Sequence, residues 1–362
     1  MRSRQLVPYH GDVVPLSDSD SGTPQELSQY TTLRVGGPAR RVVVAETEDQ
    51  IVATVAAADE ADEPLLILGG GSNVVISDSE WAGTVLLIRT TGVHKTDSCG
   101  AGTVAVAAGE NWDQIVKWAI AEDLAGIEAL SGIPGNVGAT PIQNVGAYGQ
   151  EVAESLQRVR VYDRSRREQR VFDNDECGFA YRDSRFKREP GRFVVLEVEF
   201  RWEASSDSKP VQYGELARML GVGVGGRAPL ADVRAAVLHL RRGKGMVLDS
   251  EDHDTWSVGS FFINPVVDRE TADRLPEEAP IFPLGDGRYK TSAAWLIQES
   301  GFEPGYRVGS AGLSTKHTLA ITNRGAADTD SILDLARKIR SGVSANFGVR
   351  LQPEPVFVGC AL

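Results

Sequence analysis

Two uncharged, glycine-rich segments contain the residues best suited to hold a ligand. The longer one, here called the long glycine segment, is SGIPGNVGATPIQNVGAYGQ at residues 131–150. Glycine lets backbone approach a ligand and adopt positive φ, while proline stiffens the chain. Because Ile133, Val137, Ile142 and Val145 favour burial, the pattern predicts a shaped loop packed against a large ligand rather than a flexible linker. A purely structural glycine-rich connection is the alternative.

The short glycine segment, GGGSN at residues 69–73, lies between the apolar runs LLIL and VVI. Consecutive backbone N–H groups in such a turn can bind an anion, and a pyrophosphate would fit there. An ordinary hairpin turn explains the same residues. Together, the two segments suit a long cofactor with phosphates and an apolar ring system, which predicts a flavin dinucleotide held without a Rossmann fold.

Other ligand motifs are poorly supported. Gly221, Gly223 and Gly226 satisfy G-x-G-x-x-G, but the preceding GELARML is typical of a helix, so we reject a dinucleotide fingerprint. The three cysteines, Cys99, Cys177 and Cys360, are far apart and form no C-x-x-C pair. Neither a disulfide framework nor a metal site is therefore expected.

Composition indicates a soluble protein of more than one domain. The chain has 362 residues, 41% hydrophobic and 24% charged. No apolar run approaches the ~18 residues of a membrane span, and the N-terminus lacks a signal-peptide core. We therefore expect a cytoplasmic protein without a membrane partner. The net charge of −12 argues against nucleic acid as a partner.

Hydrophobic periodicity predicts a mixture of strands and helices that must position these segments. Strands are expected at residues 40–46, 65–69, 74–77, 84–89, 103–109, 155–163, 168–173, 193–202 and 348–359. Helices are expected after Thr47, where Gln50 completes a capping box, at residues 112–120, from about Leu230 to Arg242, at residues 292–300, and from Asp328 to Ser341.

Several motifs together carry a family resemblance that covers about residues 29–359. They are TTLRVGG, LLILGGGSNVVISD, AAGENW, ALSGIPGNVGATPIQNVGAYGQE, GFAYRDSRFK, GSFFINPVV, AAWLIQESG and LQPEPVF. This combination resembles the UDP-N-acetylenolpyruvoylglucosamine reductase family, and VQYGEL with the long chain is similar to its type I subgroup.

The resemblance implies an α+β fold: a two-lobed FAD-binding unit of the vanillyl-alcohol oxidase (PCMH/VAO) type plus a C-terminal α+β substrate-binding domain. We expect an irregular N-terminal extension at residues 1–26 and the FAD-binding unit at 27–205, with lobes at about 27–90 and 91–205. A linker with the substrate loop and a helix is expected at 206–245, the substrate-binding domain at 246–355, and a strand returning to the FAD-binding unit at 356–362.

The implied activity is a hydride relay in which NADPH reduces bound FAD and the flavin N5 then reduces UDP-N-acetylglucosamine enolpyruvate to UDP-N-acetylmuramate, a peptidoglycan precursor. Hydride addition to C3 places negative charge on C2 and the carboxylate, which requires a cation and a hydrogen-bond donor. Arg182 and Glu354 occupy the family positions for that work, and Ser260 that of the proton donor. Without the family resemblance, each residue has an ordinary structural explanation. Arg182 could form a surface ion pair, Glu354 could be a rigid carboxylate on an edge strand, and Ser260 could hydrogen-bond to backbone.

The resemblance also assigns binding residues. Tyr181, Tyr213, Lys244 and Asn264 are expected to contact substrate, although Lys244 could instead be a basic helix end. The FAD, expected to be non-covalent, would be held by Gly69, Gly70, Gly71, Ser72, Asn73, Ser131, Gly132, Ile133, Pro134, Gly135, Gly138, Ala139, Thr140, Gln143, Asn144, Gly146, Ala147, Tyr148 and Gly149. The small-molecule substrate is the expected partner, and the protein is expected to be a monomer. The sequence departs from the commoner family pattern at Gln352 and Pro355, where we expect altered strand pairing with unchanged roles.

Overall fold

A computed structural model describes residues 25–98 and 101–362 of the chain. The predicted irregular extension lies outside the described residues up to position 24, and so does Cys99. The first sheet has the strand order β1-β2-β5-β3, with β5 parallel to both β2 and β3. The elements of this lobe are β1 (Gln25–Glu26), β2 (Pro38–Ala45), α1 (Glu48–Glu60), β3 (Leu65–Leu68), β4 (Val74–Ile76) and β5 (Trp81–Ile88).

The predicted capping box at the start of α1 is confirmed. The Thr47 side chain accepts from the Gln50 amide, and the Gln50 side chain accepts from the Thr47 amide. Ile51 and Val55 are fully buried, so this helix covers the parallel sheet with the face that the spacing predicted.

The second lobe is an antiparallel sheet of order β12-β11-β13-β7-β6, with β8 also paired to β13. Leu196, Val198, Phe200 and Trp202 of β13 are all fully buried, as period-two alternation requires. The elements are β6 (Val93–Ser98), β7 (Ala101–Ala107), α2 (Trp112–Ala121), β8 (Leu124–Ala125), α3 (Thr140–Gln143), β9 (Gly146–Ala147), β10 (Gln150–Glu151), β11 (Leu156–Asp163), β12 (Glu168–Asp173), α4 (Arg185–Arg188) and β13 (Phe193–Ala204).

Two helices, α5 (Gly214–Leu220) and α6 (Leu230–Gly243), follow. The helical interpretation of GELARML is confirmed, and so is the predicted helix from Leu230. Leu216, Val233 and Val237 form a small core with Ala129. This core attaches the helix pair to the turn that precedes the long glycine segment.

The C-terminal part contains two small three-stranded sheets of order β14-β16-β15 and β17-β18-β19. Its elements are β14 (Val266–Val267), α7 (Arg269–Arg274), β15 (Ile281–Pro283), β16 (Tyr289–Thr291), α8 (Ala293–Glu299), β17 (Arg307–Val308), β18 (Ala311–Leu313), β19 (Ile321–Asn323), α9 (Thr329–Phe347) and β20 (Val356–Val358). The last strand, β20, pairs in parallel with β4 of the first lobe. The domain boundaries at residues 205, 245 and 355 stay predictions.

Two sequence-based predictions for this part were wrong. The last strand is confined to Val356–Val358 rather than 348–359, because Pro353 and Pro355 cannot donate to a ladder. Helix α9 continues past Ser341 to Phe347, where Gly348 ends it in the left-handed conformation at φ +67°.

Candidate active site

The short glycine segment does not form a hairpin. It leads from β3, which pairs with β5, to β4, which pairs with β20. The two flanking strands therefore belong to different sheets, and the hairpin alternative was wrong. The segment instead forms a crossing between two sheets.

The two glycine segments contact each other closely. A Cβ atom on Gly70 would lie 2.5 Å from the Gly135 Cα. The Ser72 hydroxyl donates to the Pro134 carbonyl at 3.0 Å. On the other side, a Cβ on Gly71, whose φ is +59°, would lie 1.8 Å from the Tyr30 carbonyl oxygen. No side chain fits at either glycine, so the two segments form one packed backbone surface.

This surface offers free hydrogen-bond donors. Across residues 25–98 and 101–362, the amide N–H groups of Gly70, Gly71 and Ser72 donate to no protein acceptor. Arg89 directly follows β5, and its Nη1 donates to the Gly69 carbonyl at 2.9 Å. Burial lowers the pKa of Arg89. Free amides beside a guanidinium suit a pyrophosphate.

The long glycine segment is fixed to the second lobe by backbone bonds. The amides of Val137 and Gly138 donate to the carbonyls of Glu110 and Ala108, each at 2.9 Å. A Cβ on Gly138 would lie 2.6 Å from the Ala108 Cβ. The segment is thus a shaped loop with one short helix, α3, whose first turn contains Pro141.

Helix α6 is bound to the same segment through Asp113. This carboxylate accepts from the Gly132 amide at 2.6 Å and from both Nη atoms of Arg234, at 2.7 and 2.8 Å. Burial raises the pKa of Asp113, but the hydrogen bonds from Arg234 and Gly132 outweigh burial, so the net shift is downward. The Gly132 amide is therefore satisfied by protein and is not available to a ligand.

Arg241, also on α6, presents a buried donor without a partner. Its Nη2 donates to the Met246 carbonyl at 2.7 Å, whereas its buried Nε has no hydrogen-bond partner among the described residues. The Nε lies 3.4 Å from the position that a Cβ of Gly132 would occupy. Burial lowers the pKa of Arg241 to about 10. An anionic group bound at the long glycine segment would satisfy this guanidinium.

Sequence reasoning missed both Arg89 and Arg241. The only local signal for Arg89 is a cation at the end of an otherwise apolar strand. In the sequence, Arg241 is one of two arginines in the last turn of a helix, which is an ordinary pattern. Only tertiary packing brings it close to Gly132.

The predicted cofactor-binding residues are mostly buried or half-buried, and only Ala139 and Gly149 among them are exposed. Two of these residues adopt unusual backbone conformations, since Asn144 and Tyr148 have φ of +43° and +50°. The Asn144 side chain donates to the Ala180 carbonyl at 3.0 Å and so connects the long glycine segment to the turn that contains Arg182.

Arg182 and Glu354 form a half-buried ion pair. The Arg182 Nε lies 3.2 Å from the Glu354 Oε1, with side chains 19% and 17% exposed. Gln143 donates to the same carboxylate oxygen at 3.0 Å. The remaining guanidinium nitrogens donate to the carbonyls of Asn144 and Gly146 in the long glycine segment. The surface-pair alternative for Arg182 therefore does not describe this contact.

Ser260 is linked to Glu354 through backbone. The Glu354 amide donates to the Phe261 carbonyl at 2.9 Å, and Phe261 directly follows Ser260. Asn73 of the short glycine segment donates to the Glu354 carbonyl at 3.5 Å. Within the described chain the half-buried Ser260 hydroxyl makes no hydrogen bond, so the alternative that it bonds to backbone is not observed.

Tyr181 and Asn264 lie next to this pair. The Tyr181 ring, 40% exposed, packs at 5.3 Å against the Arg182 guanidinium, with the Lys290 ammonium 5.2 Å from the ring centroid. Burial raises the pKa of Tyr181, and the positive charge of Arg182 opposes this rise. Asn264 accepts from the Ala293 amide at 3.0 Å, which ties it to the start of α8. Lys290 is a further cation that sequence reasoning missed.

Tyr213 and Lys244 form a second cluster around Tyr148. The Tyr148 and Tyr213 rings meet edge to face at 5.3 Å, and the Lys244 ammonium lies 5.9 Å from the Tyr148 ring centroid. Lys244 pairs with Glu215 at 2.9 Å. Burial and the charge of Lys244 lower the pKa of His317 to about 4. In the part of the chain that is described, no hydrogen bond or ion pair joins this cluster to the Arg182–Glu354 pair.

The described residues contain no group of His, Cys, Asp and Glu side chains that could hold a metal ion. They also contain no helix long and apolar enough to cross a membrane.

Two family models match the chain. The model described as an FAD binding domain covers residues 39–168. The model for the C-terminal domain of UDP-N-acetylenolpyruvoylglucosamine reductase covers residues 251–358. The two matches agree with the fold described above and with the two glycine segments. They define the chain as an FAD-binding oxidoreductase.

Curated relatives identify the family. A UDP-N-acetylenolpyruvoylglucosamine reductase from Salinispora arenicola is 55% identical over 96% of this chain and 99% of its own. Another from Cutibacterium acnes is 52% identical over 93% and 90%. The crystal structure of such a reductase from Thermus caldophilus matches with a TM-score of 0.64 and 25% identity, over 93% of this chain and 98% of that chain. The chain belongs to the UDP-N-acetylenolpyruvoylglucosamine reductase family, which confirms the predicted family and fold class.

Proposed function

We propose that this protein reduces UDP-N-acetylglucosamine enolpyruvate to UDP-N-acetylmuramate with NADPH as electron donor, as a step of peptidoglycan precursor synthesis in the cytoplasm. The observation that carries the proposal is the Arg182–Glu354 contact of 3.2 Å beside the long glycine segment. A carboxylate and two backbone carbonyls hold this cation in place. It is therefore suited to stabilise the negative charge that develops on the substrate carboxylate and enolate.

The two glycine segments fit a non-covalently bound FAD. When bound, FAD supplies a two-electron carrier between NADPH and the enolpyruvyl group. The free amides of Gly70, Gly71 and Ser72, together with Arg89, would hold its pyrophosphate. The long glycine segment, which contains neither His nor Cys, would pack against the ring system.

Arg182 and Glu354 would act on the charge that forms during reduction. Hydride addition at C3 of the enolpyruvyl group leaves negative charge on C2 and its carboxylate. The Arg182 guanidinium is oriented by Glu354 on one edge and by the Asn144 and Gly146 carbonyls on the other. Little reorganisation is then needed when the charge develops.

Ser260 would give the proton to C2. Its hydroxyl is free of intramolecular bonds across the described residues, so its proton can point toward a substrate. The preceding Gly259, at φ +75°, has no atom within 4 Å of a Cβ position and leaves space beside the hydroxyl. A serine can act as a general acid in this way only if the site orients it toward the carbanion.

Tyr213 and Lys244 would bind the uridine diphosphate end of the substrate, and Tyr181 and Asn264 would contact its sugar or enolpyruvyl end. The Lys244 ammonium, paired to one carboxylate and facing an aromatic ring, can exchange that partner for a phosphate.

If nicotinamide and sugar substrate share the pocket, initial rates should follow ping-pong kinetics with inhibition by excess substrate. Initial rates that fit only a ternary-complex scheme would contradict the shared pocket.

The test is an anaerobic stopped-flow experiment on the flavin-loaded enzyme. NADPH should bleach the flavin absorbance, and the enolpyruvyl sugar should restore it with formation of UDP-N-acetylmuramate. Ser260→Ala should keep the first phase and lose the second. Recovery with oxygen but not with the enolpyruvyl sugar would reject the proposed substrate. Sedimentation analysis of the same sample should show the proposed monomer of 39.0 kDa.

A further inference from the structure

Arg182 is held in a backbone conformation that arginine disfavours. Its φ is +54°, in the left-handed region. For a residue with a side chain, this conformation is sterically unfavourable because the Cβ approaches the backbone. The conformation persists only if neighbouring contacts hold it, and those contacts decide where the guanidinium points.

Two sets of contacts hold the turn. Ala180 and Asp183 exchange backbone hydrogen bonds of 3.0 and 3.1 Å across it. The Lys187 ammonium then donates to the Arg182 carbonyl itself at 3.0 Å. Its helix, α4, is placed by Ser184, which accepts from the Lys187 amide and donates to the Ile142 carbonyl at 2.8 Å.

Lys187 differs from the other cations of α4. Arg185 pairs with Glu189, and Arg188 pairs with Asp183. Within the described part of the chain, the Lys187 ammonium has no carboxylate within ion-pair distance and no acceptor other than the Arg182 carbonyl. Burial lowers the pKa of Lys187, and the negative charges of Glu354 and Asp183 oppose this shift.

We propose that Lys187 is a positioning residue for the reduction of the enolpyruvyl substrate: its ammonium fixes the left-handed Arg182 backbone so that the guanidinium faces Glu354 and the substrate carboxylate. This inference rests on the proposed function. Lys187 touches neither the Glu354 carboxylate nor Ser260, so it acts through Arg182.

The experiment compares the two half-reactions in Lys187→Met, Lys187→Arg and the matched control Arg185→Gln, which removes a neighbouring cation from the same helix. In Lys187→Met, reoxidation of NADPH-reduced flavin by the enolpyruvyl sugar should slow about 30- to 100-fold, because displacement of a catalytic group by about 1 Å has such effects. Flavin reduction by NADPH should stay within about 2-fold of wild type. Lys187→Arg should recover most of the rate, and Arg185→Gln should behave as wild type.

A double-mutant cycle separates positioning from general folding support. If Lys187 acts through Arg182, adding Lys187→Met to Arg182→Lys should slow reoxidation by less than about 3-fold. Fully multiplicative effects, or equal slowing of both half-reactions, would overturn the inference. Should Lys187→Met fail to fold, Lys187→Gln takes its place in the same cycle. Wild-type enzyme that is not reoxidised by the enolpyruvyl sugar would instead reject the proposed function, and this inference with it.

Discussion

Two glycine-rich regions of this protein look alike in sequence and differ in packing. In the short and long glycine segments, a Cβ on Gly70, Gly71 or Gly138 would lie 2.6 Å or less from another atom. The open glycine loop is defined here as residues 211–226 and includes helix α5. A Cβ on Gly221, Gly223 or Gly225 would meet nothing within 4 Å, and one on Gly226 would lie 2.9 Å from the Gly223 carbonyl oxygen of the same loop. The first region requires glycine for close contact, whereas the second uses it for exposed turns.

The difference in packing corresponds to a difference in the site residues that each region contacts or contains. The packed segments provide the Gly146 carbonyl that accepts from Arg182, the residue proposed to act on the reacting group. The open loop includes Tyr213, which is 41% exposed and contacts the rest of the site mainly through the Tyr148 ring. We infer that chemistry depends on the packed region and that the open loop contributes to affinity.

The largest effect is expected from Gly71→Ala. The new Cβ would overlap the Tyr30 carbonyl oxygen at 1.8 Å and would require an unfavourable φ of +59°. We expect a loss of more than about 3 kcal/mol in the free energy of unfolding and a protein purified without flavin. Urea denaturation and the ratio of flavin to protein absorbance measure both.

Gly223→Ala is the matched control for that substitution. It has space for a Cβ and should change the free energy of unfolding by less than about 0.5 kcal/mol. Equal destabilisation by the two substitutions would remove the distinction between packed and open regions.

Glu354→Gln should slow the second half-reaction by about 10²- to 10³-fold while flavin binding and reduction by NADPH persist. The amide keeps the shape of the side chain but removes the charge that pairs with Arg182 at 3.2 Å. Anaerobic single-turnover kinetics are the measurement, with Asp183→Asn as a neighbouring carboxylate control. A wild-type reoxidation rate in Glu354→Gln would exclude Glu354 from the chemistry.

Tyr213→Ala should raise the KM for the enolpyruvyl sugar about 10-fold and leave the single-turnover rate at saturation nearly unchanged, because it removes uniform binding. Met219→Ala alters another exposed residue of the open loop and should change neither value. A large fall in kcat with unchanged KM would show that the open loop takes part in chemistry.

The smallest expected effect concerns the pH dependence of stability and His317, which lies beside Lys244 of the second cluster. In the folded protein the pKa of His317 is lowered to about 4, against an ordinary value of 6.5. The unfolded chain then binds more protons between these values, so stability should fall as pH decreases from about 6.5 toward about 4. We expect His317→Gln to lose about 0.7 kcal/mol less than wild type between pH 7 and pH 6 in urea titrations. Identical losses would show that His317 is not the titrating group.

Hydrophobic period and capping residues predicted most elements of the fold. They identified α1 through Thr47 and Gln50, and β13 through its alternating apolar residues. They failed where backbone chemistry overrode hydrophobicity, as at Pro353 and Pro355. Strand β6 (VHKTDS) was missed because apolar and polar residues do not alternate along it.

The site was less accessible to sequence reasoning. Composition and spacing indicated the two glycine segments, but Arg182, Ser260 and Glu354 were selected by family resemblance, since each has an ordinary structural explanation. Arg89, Arg241 and Lys187 escaped detection because their contacts are made only in the folded chain, with Gly69, Gly132 and Arg182 respectively.

Hydrogen exchange measured by mass spectrometry on flavin-free, flavin-loaded and substrate-bound protein tests most directly whether the packed glycines hold the cofactor. FAD should protect the amides of residues 69–73 and 131–150, while those of the open glycine loop should exchange unchanged until the UDP-sugar is added. Protection of the open glycine loop by FAD alone, or no protection in the short glycine segment, would show that the packed glycines do not hold the cofactor.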